Sequence, residues 1–414
     1  MLQPPRNEQA HSDFMIRDME PIPRSGETDG FRFTIMSYNL LAQHLVQRRL
    51  YPFSGSILKW KTRFPILQLE IKHYNPSIIC LQEVDVDQLV NWDTFFRKNQ
   101  YKLCTYEQPG KSHCVAIAYK TQFFALEDHF GETFDNVTPP DLNHEETNNG
   151  FLVAKFHYTR EAIEAHAHLK DKGLVVSTTH LFWRPDACYE RARQYYVLLE
   201  NISSYVAKIA IDSSGIDYSA IMAGDFNSEP FDAPYLLATT KAHADNESVR
   251  DKLIQSVISR KSDSLENPDC EKTADLRSVA ETNANTLINL HKQLNYRAQS
   301  LYGLAYHLIR GKEAKFGNEP AFSNWTPAFK GMLDYIFILS KCDGLKPYSE
   351  VDMFQFETAH KIKLLKLLPL PTEDKMGVAG LPHLRWSPSD HISIMAELEV
   401  PGDKIDSLVA DLGL

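Results

Sequence analysis

Seven short runs rich in β-branched and aromatic residues recur along the chain: FRFTIMSYNLL, PSIICLQEVD, CVAIAYK, GLVVSTTHLFW, SAIMAGDFNSEP, GMLDYIFIL and HISIMAELEV. Runs of this length and make-up predict buried β-strands. Between them, WKTRFPILQLEIKHY and YERARQYYVLLENISSYVAKI place apolar residues at the three-to-four spacing of amphipathic helices. Strands alternating with helices predict a layered α/β arrangement, sheets in the core and helices on the faces. Period alone leaves open whether one sheet is doubly wound or two sheets pack together. Several strands carry a polar residue at the C-terminal end, which predicts strand tips converging on one site.

Residues 1–30 break this pattern, with Pro4, Pro5, Pro21, Pro23, Gly26 and Gly30 among polar residues, and are expected to form a flexible N-terminal arm. Residues 31–400 are expected to form one domain, and 401–414 a C-terminal tail. Residues 241–299 are polar, with helical propensity in AETNANTLINLHKQLNYRAQ, and read as a helical insertion between two strands. Such a segment is either a solvated excursion or a lid or docking element.

A content of 43% hydrophobic residues suits a large packed core and excludes a mainly disordered chain. No apolar run approaches the roughly 18 to 20 residues of a membrane-spanning helix, so no membrane span is expected. Lys and Arg number 44 against 54 Asp and Glu, giving 44 − 54 = −10. That sign argues against gripping long duplex nucleic acid, and leaves room for a locally cationic groove or for a metal that carries the positive charge. Cys80, Cys104, Cys114, Cys188, Cys270 and Cys342 are scattered without a CxxC pair, which suits a reducing compartment. With no apolar signal core at the N-terminus, the expected location is cytoplasmic, nuclear or both.

The polar strand ends are Asn39 in MSYNLL, Glu83 in LQEVD, His180 in TTHLFW, Asp225 and Asn227 in GDFNSEP, Asp334 in LDYIF, and Asp390 with His391 in SPSDHISI. Taken singly, each could simply cap a turn. Together they offer carboxylate and amide oxygens that suit a hard divalent ion such as Mg²⁺. They also offer the Asp, Asn and His groups that phosphoryl transfer needs to orient water and stabilise charge.

In order and wording, SYNLLAQ, LYPF…LKWKTR, IICLQEVD, THLFWRPDA with ERARQ, GDFNSEP, FSNWTPAFKGMLDYIF and SPSDHISI resemble the exonuclease–endonuclease–phosphatase superfamily. The wording is most similar to its deadenylase-related branch, which holds the carbon catabolite repressor deadenylases, nocturnin, Angel and the yeast Ngl exonucleases. The resemblance implies a DNase I-like four-layered α/β sandwich: two mixed sheets packed face to face, flanked by helices, with the active site at one end. It implies a Mg²⁺-dependent 3′-to-5′ exoribonuclease, with Mn²⁺ as a possible substitute. The enzyme would act on single-stranded RNA 3′ ends, shortening poly(A) or trimming ribosomal RNA, and release nucleoside 5′-monophosphates.

By the same resemblance Glu83, Asn39 and Asp390 form the metal site. Asp225 orients or deprotonates water, and Asn227 holds that water or a phosphate oxygen. His391, backed by Asp334, and His180 contact the phosphate, while Pro185 and Phe329 sandwich a base. Arg63 belongs to a basic cluster with Arg48, Arg49, Lys59 and Lys61 that could guide RNA; Lys361, Lys363 and Lys366 form a second cluster, in a stretch that also reads as an amphipathic segment packing on the fold. Where many deadenylases carry Asp-Gly, this chain has His113 and Cys114. No leucine-rich repeats for docking onto a deadenylase complex are present in the sequence, and oligomeric state is not legible. The alternatives are a metal-dependent phosphatase or phosphodiesterase on a small nucleotide such as a dinucleotide phosphate, and an inactive RNA-binding scaffold.

Overall fold

Along the central strands neighbouring side chains point into different clusters. Ile35, Cys80 and Ile117 face one interior, and Met36, Ile79 and Ala116 face the other. A period of two with both faces apolar requires a sheet covered on both sides. The computed structural model, which describes residues 14–23, 29–212, 215–262, 270–341, 352–376 and 379–402, shows how each face is covered.

The strands of the first sheet are β1 (Phe31–Asn39), β2 (Ile78–Asp85), β3 (Tyr101–Glu107) and β4 (His113–Lys120). The second sheet contains β5 (Phe124–Thr133), β6 (Gly150–Tyr158), β7 (Lys172–His180), β8 (Asp217–Asp225), β9 (Tyr296–Ser300) and β10 (Asp334–Lys341). Then β11 (Lys363–Leu367) and β12 (Ile394–Val400) return to the first. The spatial orders are (Glu20–Pro21)-β11-β12-β1-β2-β4-β3 and β9-β10-β8-β7-β6-β5. Among the described residues only β1/β2 and β7/β8 are parallel pairs, so both sheets are mixed.

The inner faces meet through contacts such as Tyr119 on Phe156 and Phe33 on Phe124, with ring centroids 4.9 and 6.0 Å apart. Helices α1 (Trp60–Tyr74) and α2 (Leu89–Lys98) cover the outside of the first sheet, where Trp92 and Phe96 stack 5.6 Å apart. Helix α3 (Cys188–Asp212) covers the second sheet and buries Tyr195, Leu198, Leu199 and Ile202. Helices α1 and α3 are the crossovers that the two parallel pairs require. The result is the expected four-layered sandwich. Among the described residues no helix is long and apolar enough to cross a membrane.

Two segments differ from expectation, and a third takes the packed course of its two readings. Residues 14–23, assigned to a flexible arm, are seated: Phe14 and Ile22 are buried, Glu20 pairs with Leu367, and the Arg17 guanidinium donates to the Ser393 carbonyl at 2.8 Å. The rest of that expected arm that falls on 1–13 and 24–28, and the tail from 403, lie outside the described residues. The insertion contributes helices α4 (Glu247–Ser262) and α5 (Cys270–Gln293), whose Leu253, Ile254, Ala284 and Leu287 join the main core. A helix of low average hydropathy still docks when its few apolar residues share a face. The insertion also ends earlier than residue 299, because Tyr296–Ser300 is a strand paired with β10. Lastly, KIKLLKLLPL forms β11, with Lys363 3.7 Å from Glu399 and Lys366 3.0 Å from Glu397, so those cations are spent within the sheet.

Candidate active site

Both parallel pairs end at the same pole of the sandwich. Asn39 lies opposite Gln82 in the first sheet and His180 opposite Asp225 in the second. Antiparallel β10 begins there, with Asp334 opposite Asp225, and Asp390 and His391 arrive on the turn before β12.

Local backbone chemistry aims these side chains. In β2 the residues Gln82 and Glu83 together face the single Val115, a bulge that sends Gln82 between the sheets, where it donates to Thr178 at 2.9 Å, and turns Glu83 to the pole. Glu83 (φ +54°), Leu41 (φ +57°) and Asn227 (φ +48°) all sit in the left-handed region. Such strain persists only where surrounding contacts impose it, and these three residues stand at the one pole. Leu41 donates its N–H to Asn39 Oδ1 at 3.0 Å, and Asn227 donates its N–H to Asp225 Oδ1 at 3.0 Å. Gly224 is required by close approach, since a Cβ there would lie 2.3 Å from the Thr179 carbonyl oxygen.

The side chains form one network. Asn39 Nδ2 donates to Asp225 Oδ2 at 2.9 Å and Glu83 Oε1 at 3.3 Å, and Glu83 Oε2 accepts the Ala42 N–H at 2.8 Å. His391 Nδ1 lies 2.7 Å from Asp334 Oδ2, which also accepts Ser323 Oγ at 2.6 Å. His391 Nε2 is 3.4 Å from Asp225 Oδ2. His180 approaches Glu83 Oε1 at 3.7 Å and Asp225 Oδ2 at 3.5 Å, and Asp390 Oδ2 accepts Tyr51 Oη–H at 2.8 Å.

Burial sets the protonation states. It pushes the Asp225 carboxyl up to about 7, with the Asp334 charge adding to the rise and the charge of His391 opposing it. Burial also works against charge on His391, but Asp334 and Asp225 outweigh it and hold the imidazole well above its usual range. His180 goes the other way, driven well down by burial and then by the charges of His113, Lys111 and His391. The cluster thus pairs a carboxylate poised near neutrality with one charged and one neutral imidazole, the equipment for moving a proton beside a phosphate.

The profile of the Endonuclease/Exonuclease/phosphatase family matches residues 36–391, which span every residue named in this network. The chain belongs to that family. RNA exonuclease NGL2 of Saccharomyces cerevisiae is 31% identical over 421 residues, covering 94% of this chain and 82% of NGL2. The CCR4-Not complex 3′-5′-exoribonuclease subunit Ccr4 of Schizosaccharomyces pombe is 24% identical over 402 residues, 92% of this chain and 51% of that protein. Among solved structures, ANGEL2, a 2′,3′-cyclic phosphatase captured with adenosine-2′,3′-vanadate, shares the fold with a TM-score of 0.62 at 22% identity, over 93% of this chain and 99% of that one.

As an Endonuclease/Exonuclease/phosphatase family member, the chain has a metal-dependent framework, and among the described residues Asp225, Asp334 and His391 form a buried acidic group whose ligand atoms lie close enough together to hold a cation. Burial, and next the charge of Asp390, push the Glu83 carboxyl above the usual carboxylate range. Among the described residues no Lys or Arg lies within salt-bridge distance of Glu83; only His180 does, and burial disfavours its charge. Two carboxylates close enough for the charge of one to raise the other are what a divalent ion would relieve. A second acidic group, His44, Asp85 and Asp87, is explained without a metal: His44 Nδ1 is 2.8 Å from Asp85, whose carboxylate also accepts the Gln43 N–H at 2.7 Å and so ties down the loop after β1.

One expected substrate contact is corrected. Arg63 is 0% exposed: its Nε donates to the Pro388 carbonyl at 2.7 Å, and its Nη2 donates to the carbonyls of Leu40 and Leu41. Helix α1 directs it inward, where it joins the loop after Asn39 to the loop before Asp390, so it cannot touch RNA. Arg48, Arg49, Lys59 and Lys61 remain on the surface. Pro185 and Phe329 are exposed, on the loops after β7 and before β10.

Sequence reasoning missed Tyr51, Ser323 and Lys111. The first two are common residue types whose role appears only when distant segments meet. Lys111 is pulled down to about 8 by burial, with Asp135 and Glu83 opposing the fall, and it lies two residues before His113, whose ring is 6.4 Å from that of His180. The only signal was that departure from the deadenylase pattern.

Proposed function

We propose that the protein is a Mg²⁺-dependent 3′-to-5′ exoribonuclease that hydrolyses the last phosphodiester bond of single-stranded RNA and releases nucleoside 5′-monophosphates. The observation that carries this reading is the convergence, at one pole, of the oxygen donors Glu83, Asn39 and Asp390 with the Asp225–His391–Asp334 chain. Similarity to an RNA exonuclease and to a 3′-5′-exoribonuclease supports RNA as the substrate and the polarity of attack.

Glu83, Asn39 and Asp390 would hold the ion, which when bound supplies charge neutralisation to the phosphate and to the departing oxygen. Asp225 takes a proton from the attacking water, and Asn39 keeps the carboxylate aimed. The water oxygen bonds to phosphorus as the bond from phosphorus to the 3′ oxygen of the preceding nucleotide breaks, and that oxygen takes a proton from solvent to leave a 3′-hydroxyl on the shortened strand. His391, kept charged by Asp334, donates from Nε2 to a phosphate oxygen, and His180 supplies a neutral second contact. Asn227, whose Nδ2 donates to the Leu181 carbonyl at 2.9 Å, fixes the turn that carries Asp225. Pro185 and Phe329 stack the terminal base.

The test is a time course with purified protein and two 5′-labelled RNAs, one ending in adenosines and one of mixed sequence, in Mg²⁺ or EDTA, with Glu83→Ala alongside. A ladder shortening from the 3′ end, lost in EDTA and in the variant, is expected. Intact RNA under all conditions, or equal cutting by Glu83→Ala, would overturn the assignment.

A further inference from the structure

Helix α4 turns a single stripe, Lys252, Ser256 and Arg260, toward the loops that leave the catalytic strands. Ser256 Oγ donates to the Asp186 carbonyl at 2.6 Å and accepts the Tyr189 N–H at 3.0 Å. The Arg260 guanidinium lies 5.5 Å over the Phe182 ring and 3.6 Å from the Asp186 carboxylate. One turn earlier than Ser256, Lys252 Nζ lies 5.9 Å over the ring of Phe231 and 3.4 Å from its carbonyl oxygen. The insertion therefore reaches across from the loop after His180 to the loop after Asp225.

Phe231 is 43% exposed and packs edge-on against Phe316, which is 51% exposed, with ring centroids 6.2 Å apart at 84°. Two large apolar rings left in solvent side by side, with a cation on one of them, need a reason that a scattered surface residue does not. Their position supplies one. Phe231 lies four residues beyond Asn227, and Glu229, between them, shares with Phe329 the space around Gly331, where a Cβ would meet Phe329 Cζ at 2.6 Å and Glu229 Oε1 at 2.7 Å. Glu229 thus joins the loop that carries Phe231 to Phe329, beside the catalytic pole.

We infer that Phe231, Phe316 and Lys252 form a nucleotide subsite for single-stranded RNA, receiving a base and phosphate further to the 5′ side than the immediate neighbour of the nucleotide being removed. The inference rests on the proposed exoribonuclease reading and extends it. Aromatic faces stack any base, so the subsite is sequence-tolerant. Lys252 has three donors, of which one is directed at the Phe231 carbonyl, leaving others for a phosphate oxygen. Glu229 and Asp232 lie in the same loop, where the Asp232 carboxylate accepts the Glu229 N–H at 3.0 Å, so stacking, more than charge, has to carry the binding. The anchoring of α4 through Ser256 and Arg260 fixes the platform before RNA arrives, which limits the ordering cost of binding.

The test compares kcat/KM on a dinucleotide, which fills only the catalytic end, with that on an octanucleotide, together with anisotropy binding of labelled octanucleotide to the Glu83→Gln protein. The double substitution Phe231→Ala, Phe316→Ala is expected to weaken octanucleotide binding and kcat/KM about 5- to 100-fold with the dinucleotide rate unchanged. Phe231→Trp with Phe316→Trp should restore both. Lys252→Met should lower the salt slope of binding by about 0.7, the loss of one phosphate contact on a single strand. Equal loss on both substrates without rescue by Trp, or no loss on either, overturns the subsite and leaves the exoribonuclease standing. Wild-type protein that cuts neither substrate overturns the exoribonuclease reading instead. In that case binding that does not tighten as the RNA lengthens overturns the subsite as well.

Discussion

Arg63→Met separates two readings of one residue. In the structure Arg63 is fully enclosed and donates to the carbonyls of Leu40, Leu41 and Pro388, with Gln43 Oε1 at 3.4 Å. Hydrogen bonds to a charged donor contribute about 1.5–3 kcal/mol each, and a buried carbonyl left without a partner costs about 1–3 kcal/mol. Against this stands the burial of the guanidinium itself, which lowers its pKa from the ordinary value and is relieved when the charge is removed. Taking part of the gross loss as offset, the net destabilisation is about 3–5 kcal/mol, the range for breaking a buried charged network from one side. That is a large share of the roughly 5–15 kcal/mol of an ordinary folded protein. The loops involved carry Asn39 and Asp390, so activity should fall as well, by on the order of 10²-fold for a displacement near 1 Å, mainly in kcat. Urea unfolding at constant m and steady-state kinetics on labelled RNA measure both. Lys should not rescue, because one ammonium cannot span acceptors that the fork reaches on two loops. An unchanged unfolding midpoint with a raised KM alone would return Arg63 to the RNA surface.

Glu83→Gln should lower kcat by at least about 10²-fold with no loss of stability, and extra Mg²⁺ should not restore it, as a metal-activity titration would show. Asp334→Asn should drop the His391 pKa, followed by NMR of the imidazole, and lower kcat on the order of 10²- to 10⁴-fold with KM little changed. His291, buried against α3 with Nε2 3.0 Å from the Ala192 carbonyl, is pushed down to about 3 by burial. Between that value and the unfolded pKa near 6.5 only the unfolded chain binds the proton, so stability falls as pH falls, by about 1.4 kcal/mol per unit and about 2 kcal/mol by pH 5. Urea midpoints at pH 7.5 and 5 test this, and His291→Phe should flatten the slope.

The motif residues were legible because each is a polar side chain at the end of an apolar run, where a strand leaves the core; Asn39, Glu83, His180, Asp225 and Asp334 all stand at or beside such ends. Their family wording then supplied the two-sheet architecture that period alone left open. Arg63 was misjudged because a cation in a basic stretch gives no sign of which side of its helix faces in. Residues 14–23 were misjudged because Pro and polar side chains predict the absence of a helix, not the absence of packing; a strap can be held by edge pairing and by one guanidinium.

The alternation of strands and helices, the apolar faces, and the set of hard oxygen donors and imidazoles are written in the order of residues, since these are properties of neighbours along the chain. Tertiary structure decided what depends on distance through space. It turned Glu83 by a bulge, shared Asp334 between Ser323 and His391, raised Asp225 by burial, and laid α4 across two loops from adjacent parallel strands to place Lys252 on Phe231. Desolvation and charge coupling fall steeply with separation, and separation between residues remote in sequence is fixed only when the sheets close on each other.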